Sequence, residues 1–368
     1  MKLGFFTHPT HPKGRSFTDT LREDRETFIL ADRLGYSEAF MGEHLTDEVE
    51  NIPNSAMFLA SLVGETKQIK LGTGVVNLPH SHPVIVASNI AMLDHMLEGR
   101  FIMGIGPGIH WSDAEAMGVM DHDRNAMFLE AIDHILAIWS KEPPYRLEGK
   151  YWKITTERSI WPEIGLGTIA KPYQKPHPPI LAAASNPNPG GLPAVGRRGW
   201  LAASSDFLQS NHLRNHWSLY AQGCKEGGHQ ATRADWRVAR AICVAEDDKV
   251  AAAYGRQDTN SPYRFYLKML STKLRKVNLL KAFKRDPNMP DEAVTLDYMA
   301  DTLVIAGSVN SVVDQILALN EETGGFGTLL YAGKNWTDPQ LSRKSMELMA
   351  EKVMPAVNDA LRPSVAAE

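Results

Sequence analysis

Eight short apolar runs, separated by longer stretches of helical period, constrain this chain more than any other feature. The runs are residues 2–7, 37–41 (Ser37-Glu38-Ala39-Phe40-Met41), 69–76, 101–105, 180–184, 200–203, 237–244 and 328–332. Between them, Val86, Ile90, Leu93 and Leu97 recur at three- and four-residue steps, and so do Phe128, Ile132, Ile135 and Trp139. That spacing gives each helix one apolar face. Strands alternating with crossover helices predict an α/β fold with a parallel sheet. Eight such units fit a closed (β/α)8 TIM barrel better than an open doubly wound sheet. No Gly-x-Gly-x-x-Gly turn follows the first run, which weakens the dinucleotide-binding alternative.

A length of 368 residues suits one such barrel with insertions, so 1–368 is read as a single domain. Two stretches break the alternation. The first, about 141–178, is rich in proline, and within it Tyr145–Ile154 reads as a hairpin turning at Glu148-Gly149-Lys150. The second, about 255–300, is long, polar and rich in Lys and Arg, and its length suggests a loop that closes as a lid.

Composition removes several classes of function. A net charge of −4 with 22% charged residues offers no steering field for nucleic acid or an anionic membrane surface. Cys224 and Cys243 make neither a disulfide framework nor a thiolate cluster. No apolar stretch is long enough to span a bilayer, and the start, Lys2–Thr7, lacks the build of a signal peptide. The expected location is cytoplasmic.

In a barrel, residues just past each strand converge on the catalytic face. That rule gathers His8 and His11, then Glu43 and His44, then Asn77, His80 and His82. It adds the turn Gly106-Pro107-Gly108 with His110 and Trp111, and later Ser185-Asn186. Glycines in a turn let a ligand approach the backbone closely, and they also simply end strands. Ser185-Asn186 ahead of a helix reads as an N-cap or as an anion site. Arg124, at the start of a helix over 122–139, opposes the helix dipole and calls for an anion or for solvent. His80-Ser81-His82 has no companion His-Glu-x-x-His spacing, so no metal is expected. No Gly-x-Ser-x-Gly elbow or phosphate loop supports a hydrolase or kinase. His44 is open between a buried structural histidine and an acid–base group.

Several motifs resemble the bacterial-luciferase-like flavin-dependent monooxygenases. They are Gly42-Glu43-His44, Leu71-Gly72-Thr73-Gly74-Val75, Leu78-Pro79-His80-Ser81-His82-Pro83 and Leu97-Glu98-Gly99-Arg100 running on to Gly108. The later Lys171-Pro172-Tyr173-Gln174-Lys175-Pro176 run and Ser345-Met346-Glu347-Leu348 are similar too. Phe5-Phe6, Glu50-Asn51-Ile52-Pro53, Gly108–Asp113 and Pro262-Tyr263-Arg264-Phe265-Tyr266 look closest to the limonene-type and diketocamphane (type II Baeyer–Villiger) members. The resemblance implies an enzyme that uses reduced FMN, supplied by a separate reductase, and O2. The substrate would be a small apolar ketone, terpene or similar compound, oxidised through a flavin C4a-peroxide, and the protein a homodimer. It implies His44 as the catalytic residue. Glu43, Gly74, Val75, Asn77, Gly106, Arg124, Ser185 and Asn186 would bind the cofactor, with a cis peptide at Gly74–Val75. Where luciferase has cysteine and arginine this chain has Gly106 and Pro107, which argues against light emission. The rival readings are an F420-dependent dehydrogenase on the same barrel and a non-catalytic flavin-binding protein.

Overall fold

The computed structural model describes residues 1–334 and 337–362. Its strands follow a ring. Lys2–Thr7 is followed by Glu38–Met41, Lys70–Thr73, Phe101–Gly106, Ile180–Ala184, Leu201–Ser204, Trp236–Val244 and Thr328–Ala332, which pairs back with Lys2–Thr7. These are the eight expected runs, and the fold is a (β/α)8 barrel. Among the described residues no helix is long and apolar enough to cross a membrane.

One strand escaped the sequence reading. Val304–Gly307 pairs in parallel with the second half of Trp236–Val244, in the register Ala241↔Val304 to Val244↔Gly307. It is only four residues long and directly follows the helix Leu296–Leu303, so its apolar residues read as the end of that helix. Trp236–Val244 is nine residues long and buried throughout because it serves three neighbours: Leu201–Ser204, Thr328–Ala332 and this added strand.

Contacts group the chain into two compact units. One comprises Met1–Thr10, Glu26–Ala39 and Ala182–Glu368; the other comprises His11–Arg25 and Phe40–Leu181. In the Phe40–Leu181 unit, Leu71↔Phe101 and Gly72↔Ile102 set the parallel register, and Val76↔Ile105 and Asn77↔Gly106 resume it. Between those pairs lies the Gly74–Val75 peptide, which is cis, as the family resemblance implies. A β-carbon on Gly104 would sit 1.9 Å from the Thr73 carbonyl oxygen, so only glycine lets these two backbones approach. The Thr73 hydroxyl donates to the Gly104 carbonyl at 2.7 Å across the same contact.

The expected helices form as Pro83–Met96 and Arg124–Ser140. Val86, Ile90, Leu93, Leu97, Ile132, Ile135 and Trp139 are buried, while Phe128 is only partly so and Met127 points inward instead. The Trp139 indole donates to the Ala87 carbonyl at 3.2 Å and ties the two helices together. The hairpin pairs Arg146–Glu148 with Lys153–Thr155, so its turn runs through 149–152, longer than expected. Glu130 explains the turn, because its carboxylate accepts from the N–H groups of Lys150, Tyr151 and Trp152 at 2.8, 2.9 and 2.9 Å.

In the Ala182–Glu368 unit, Arg237 grips Glu38 with two hydrogen bonds, at 2.9 and 3.1 Å, and both side chains are buried. The 255–300 segment is not the loop its polarity suggests. It carries the helix Pro262–Lys276, capped by Ser261, and the start of Leu296–Leu303. Its charges occupy one face, while Tyr263, Tyr266, Leu267 and Leu274 are buried on the other. The Tyr263 hydroxyl donates to the Ile242 carbonyl at 2.5 Å, which anchors the first turn to the long strand.

The Gly104 contact gives a clean test of packing. Gly104→Ala should destabilise the protein by about 1–3 kcal/mol or prevent folding, the usual cost of forcing atoms into a filled core. Gly190→Ala, with no atom within 4 Å of the new carbon, should change stability by less than about 0.5 kcal/mol. Denaturant unfolding of both variants compares them directly.

Candidate active site

Four pieces of the Phe40–Leu181 unit build the site. The first is the segment that follows Glu38–Met41. Its loop is folded back on itself: the His44 N–H donates to the Ile52 carbonyl at 2.9 Å, and Asp47 accepts from the N–H groups of Val49 and Glu50 at 2.9 and 3.1 Å. Glu43 ties that loop to its surroundings. One carboxylate oxygen accepts from the Ser55 N–H and hydroxyl at 2.9 and 2.6 Å, and the other from the Asn77 N–H at 3.1 Å. The Asn77 amide also donates to the Glu43 carbonyl. Burial pushes the Glu43 carboxyl above its ordinary range, against the pull of these donors. Its oxygens are committed to the chain, so any effect on a ligand passes through Asn77.

The second piece is the short helix Trp111–Ala116, which starts just past the Gly106-Pro107-Gly108 turn with His110 as its N-cap. Asp113 lies in its first turn and is 1% exposed. It accepts from the Thr46 N–H at 2.9 Å and the Thr46 hydroxyl at 2.5 Å, which clamps the helix to the loop. Burial alone would raise the Asp113 carboxyl. Hydrogen bonding from His44 and Thr46 outweighs it and holds the group well below the carboxylate range.

His44 sits inside this frame and is buried. Its Nδ1 is 3.7 Å from Asp113 and its Nε2 is 3.6 Å from Glu50. Its ring stacks on His110 with centroids 3.7 Å apart and planes 16° apart. A histidine between two buried carboxylates can take a proton and return it from a fixed position.

The third piece is a strip of bare backbone: cis Gly74–Val75, Gly104, Gly106 and Gly108. A β-carbon on Gly106 would sit 2.6 Å from Val75, and one on Gly108 2.8 Å from the His80 ring. Gly108 also has φ +76°, which favours glycine. His80 itself is buried, neither of its ring nitrogens has a hydrogen-bond partner among the described residues, and burial lowers its pKa. The fourth piece is Arg124, the first residue of Arg124–Ser140, with Asp123 as N-cap. Its guanidinium donates to the Gly108 carbonyl at 3.0 Å, which brings a cation to the glycine turn. A flat strip of backbone, an orphaned buried histidine and an adjacent guanidinium fit a planar ring system that carries an anionic tail.

The chain has known relatives. The model of the family described as luciferase-like monooxygenase matches residues 1–325. The chain belongs to that family. Limonene 1,2-monooxygenase of Rhodococcus erythropolis is 29% identical to it over 98% of this chain and 88% of that protein. The 3,6-diketocamphane 1,6-monooxygenase of Pseudomonas putida is 28% identical over 97% and 98% respectively. Among solved structures, the oxygenating constituent of 3,6-diketocamphane monooxygenase from Pseudomonas putida, a type II Baeyer–Villiger enzyme in complex with FMN, superposes with a TM-score of 0.87 at 28% identity. That match covers 96% of this chain and 98% of the other. This luciferase-like protein is a flavin-dependent monooxygenase.

Of the residues singled out in the sequence, Glu43, His44, Gly74, Val75, Asn77, Gly106 and Arg124 all lie in the Phe40–Leu181 unit. Ser185 and Asn186 belong to the other unit. There the Ser185 hydroxyl pairs with that of Ser205 at 3.1 Å, and the Asn186 side chain accepts from the Asn188 N–H at 2.9 Å. They do not stand ahead of a helix, as the sequence suggested. The helix begins at Leu192, with Gly191 as its N-cap. Pro187 and Pro189 delay it, because a residue before proline is pushed out of helical conformation. His82 is an N-cap, accepting from the Val84 N–H, and His11 pairs with buried Asp24 at 3.1 Å. Asp47, Glu50 and Asp113 were not singled out from sequence. Extending the strand-end rule by a few residues, as far as the first turn of the following helix, would have gathered all three.

Asp113→Asn tests the clamp. A folded pKa held below the unfolded value of about 3.9 gives stability that is present above about pH 4 and lost as pH falls toward the folded pKa. The variant should therefore lose about 1–3 kcal/mol at neutral pH, with a smaller deficit at pH near 3. Urea unfolding at the two pH values reads both, and equal stability at neutral pH would contradict the clamp.

Proposed function

We propose that this monooxygenase uses reduced FMN, delivered by a separate reductase, and O2 to oxidise a small, mostly apolar ketone, terpene or similar compound. The observation that carries this reading is His44, held between Asp113 and Glu50 close to the bare backbone of the glycine turn. Bound reduced FMN supplies two electrons, so that one oxygen atom of O2 enters the substrate and the other leaves as water.

The chain's own residues do the rest. Gly74 and Gly106 offer backbone without side-chain bulk to a flat ring, and Val75 offers an apolar side chain beside them. Asn77, fixed by Glu43, orients toward the same strip. Arg124 supplies charge for the phosphate. His44 holds or releases a proton at the reacting group, and that choice selects insertion beside a carbonyl or electrophilic transfer to an alkene. The assembly is a homodimer that meets its reductase transiently. The lack of a dinucleotide fingerprint after the first strand supports a separate source of reducing equivalents.

Cofactor choice is tested by titration. Reduced FMN should bind more tightly than oxidised FMN, and NADPH and a reduced deazaflavin should bind weakly. Tight deazaflavin binding would favour a hydride-transferring enzyme, and stoichiometric NADPH binding would remove the need for a reductase.

His44→Ala tests the proton role. Flavin affinity should stay close to wild type, while product formation falls by about 10²–10⁴-fold, the range for losing a positioned acid–base group. Consumed O2 should then appear mainly as hydrogen peroxide. An unchanged ratio of product to peroxide in the folded variant would remove His44 from the mechanism.

A further inference from the structure

The stack of His110 on His44 has a geometry that the flavin reading does not use. Both ring Nε2 atoms face one carboxylate oxygen, Glu50 Oε2, at 3.6 Å from His44 and 3.9 Å from His110. On the far side His44 Nδ1 faces Asp113 at 3.7 Å, and His110 Nδ1 faces Asp47 at 3.9 Å. The result is a row of five groups, Asp47, His110, Glu50, His44 and Asp113, alternating carboxylate and imidazole.

The Asp47–His110 end of the row is the more exposed and Asp113 the most buried. Side-chain exposure is 13% at Asp47 and 14% at His110, then 10% at His44, 5% at Glu50 and 1% at Asp113. Two of the trios in this row, His44-His110-Asp113 and Asp47-Glu50-His110, have ligand atoms close enough to suggest a shared metal ion. The stacking argues otherwise. Rings stacked with planes 16° apart hold their nitrogen lone pairs in nearly parallel planes, so an ion shared by both would lie out of the plane of each ring.

We propose that His110 is the outer member of a histidine pair that carries protons between solvent and His44. The proposal rests on the reading of His44 as the proton-handling residue. His110 takes a proton at Nδ1 from the Asp47 side, and the imidazolium so formed gives its Nε2–H to Glu50 Oε2; Glu50 passes that proton to His44 Nε2. His110 is left neutral with its proton on Nδ1, and His44 carries the positive charge until it releases a proton to the reacting group. Return runs the same path backwards. The gaps of 3.6–3.9 Å close to hydrogen-bond length through small side-chain rotations. His110 touches neither substrate nor cofactor in this scheme; it is a positioning residue that acts through His44. Within this unit, Glu43, His80 and Arg124 are further charged or titratable groups that act on the local field.

Histidine-selective ¹⁵N NMR of the flavin-free full-length protein tests the pairing without any turnover. In the wild type, His44 and His110 should share two titration steps, because strongly coupled sites titrate as a pair. His110→Phe keeps an aromatic ring on the stack and removes its nitrogens, so His44 should then titrate in a single step. Should that variant fail to fold, Asp47→Asn takes its place, and His44 should shift in the same direction as His110 but by less. In turnover, His110→Phe should lower kcat by about 10–100-fold, below the full range for losing the acid–base group itself, with KM nearly unchanged. Added imidazole should restore part of the loss.

A His44 titration unaltered in both variants would overturn the pairing and leave the monooxygenase reading standing. Shifts of both histidines that saturate with one equivalent of Zn²⁺ and reverse with a chelator would also overturn it, in favour of a metal site. Failure of the monooxygenase reading itself would appear separately, as wild-type protein that makes no oxygenated product.

Discussion

The site depends on one buried carboxylate. Asp113 belongs to the short helix after the fourth barrel strand, yet its hydrogen bonds go to Thr46 on the loop after the second. That clamp joins two segments which the barrel alone would leave as independent loops. His44 lies two residues before Thr46, so the same bonds that fix the loop also fix the imidazole. A carboxylate taken out of water needs compensation, and here hydrogen bonds from Thr46 and the nearby imidazole of His44 supply it. Structure and chemistry thus share a single ion: the charge that orients the histidine is kept by the contacts that hold the loop.

Glycine carries the second constraint. At Gly72, Gly104 and Gly106 a β-carbon would collide with Phe40, Thr73 and Val75 respectively. These residues let neighbouring segments approach closely, so that the chain itself fills the space a side chain would take. Arg124 then brings a positive charge to the carbonyl of Gly108, at one end of the strip.

Much of this was legible in the sequence. The eight strands were readable because an apolar run covered on both faces has a distinct length and composition. The cis peptide followed from motifs shared with the family, whereas Arg124 at the start of its helix followed from the helical period. Val304–Gly307 was hidden because four apolar residues abutting a helix carry no period of their own. The segment 255–300 read as loop because the charges on the exposed face of Pro262–Lys276 dominate its composition, while the buried Tyr263, Tyr266, Leu267 and Leu274 are spaced along the other face. Asp47, Glu50 and Asp113 were not read as site residues for a different reason: His110 and Thr46, which bring them together, lie on another segment, and a carboxylate on a loop looks like any solvated one until the fold buries it.

The central claim is that this protein transfers one atom of O2 to an organic substrate with reduced FMN. The most direct measurement is mass spectrometry of products from a panel of small ketones and terpenes, incubated with the protein and chemically reduced FMN under ¹⁸O2. The account predicts a product heavier by one labelled oxygen atom, formed in proportion to O2 consumed and absent when either FMN or O2 is withheld. A product that forms without O2, or one that carries no label, would contradict it.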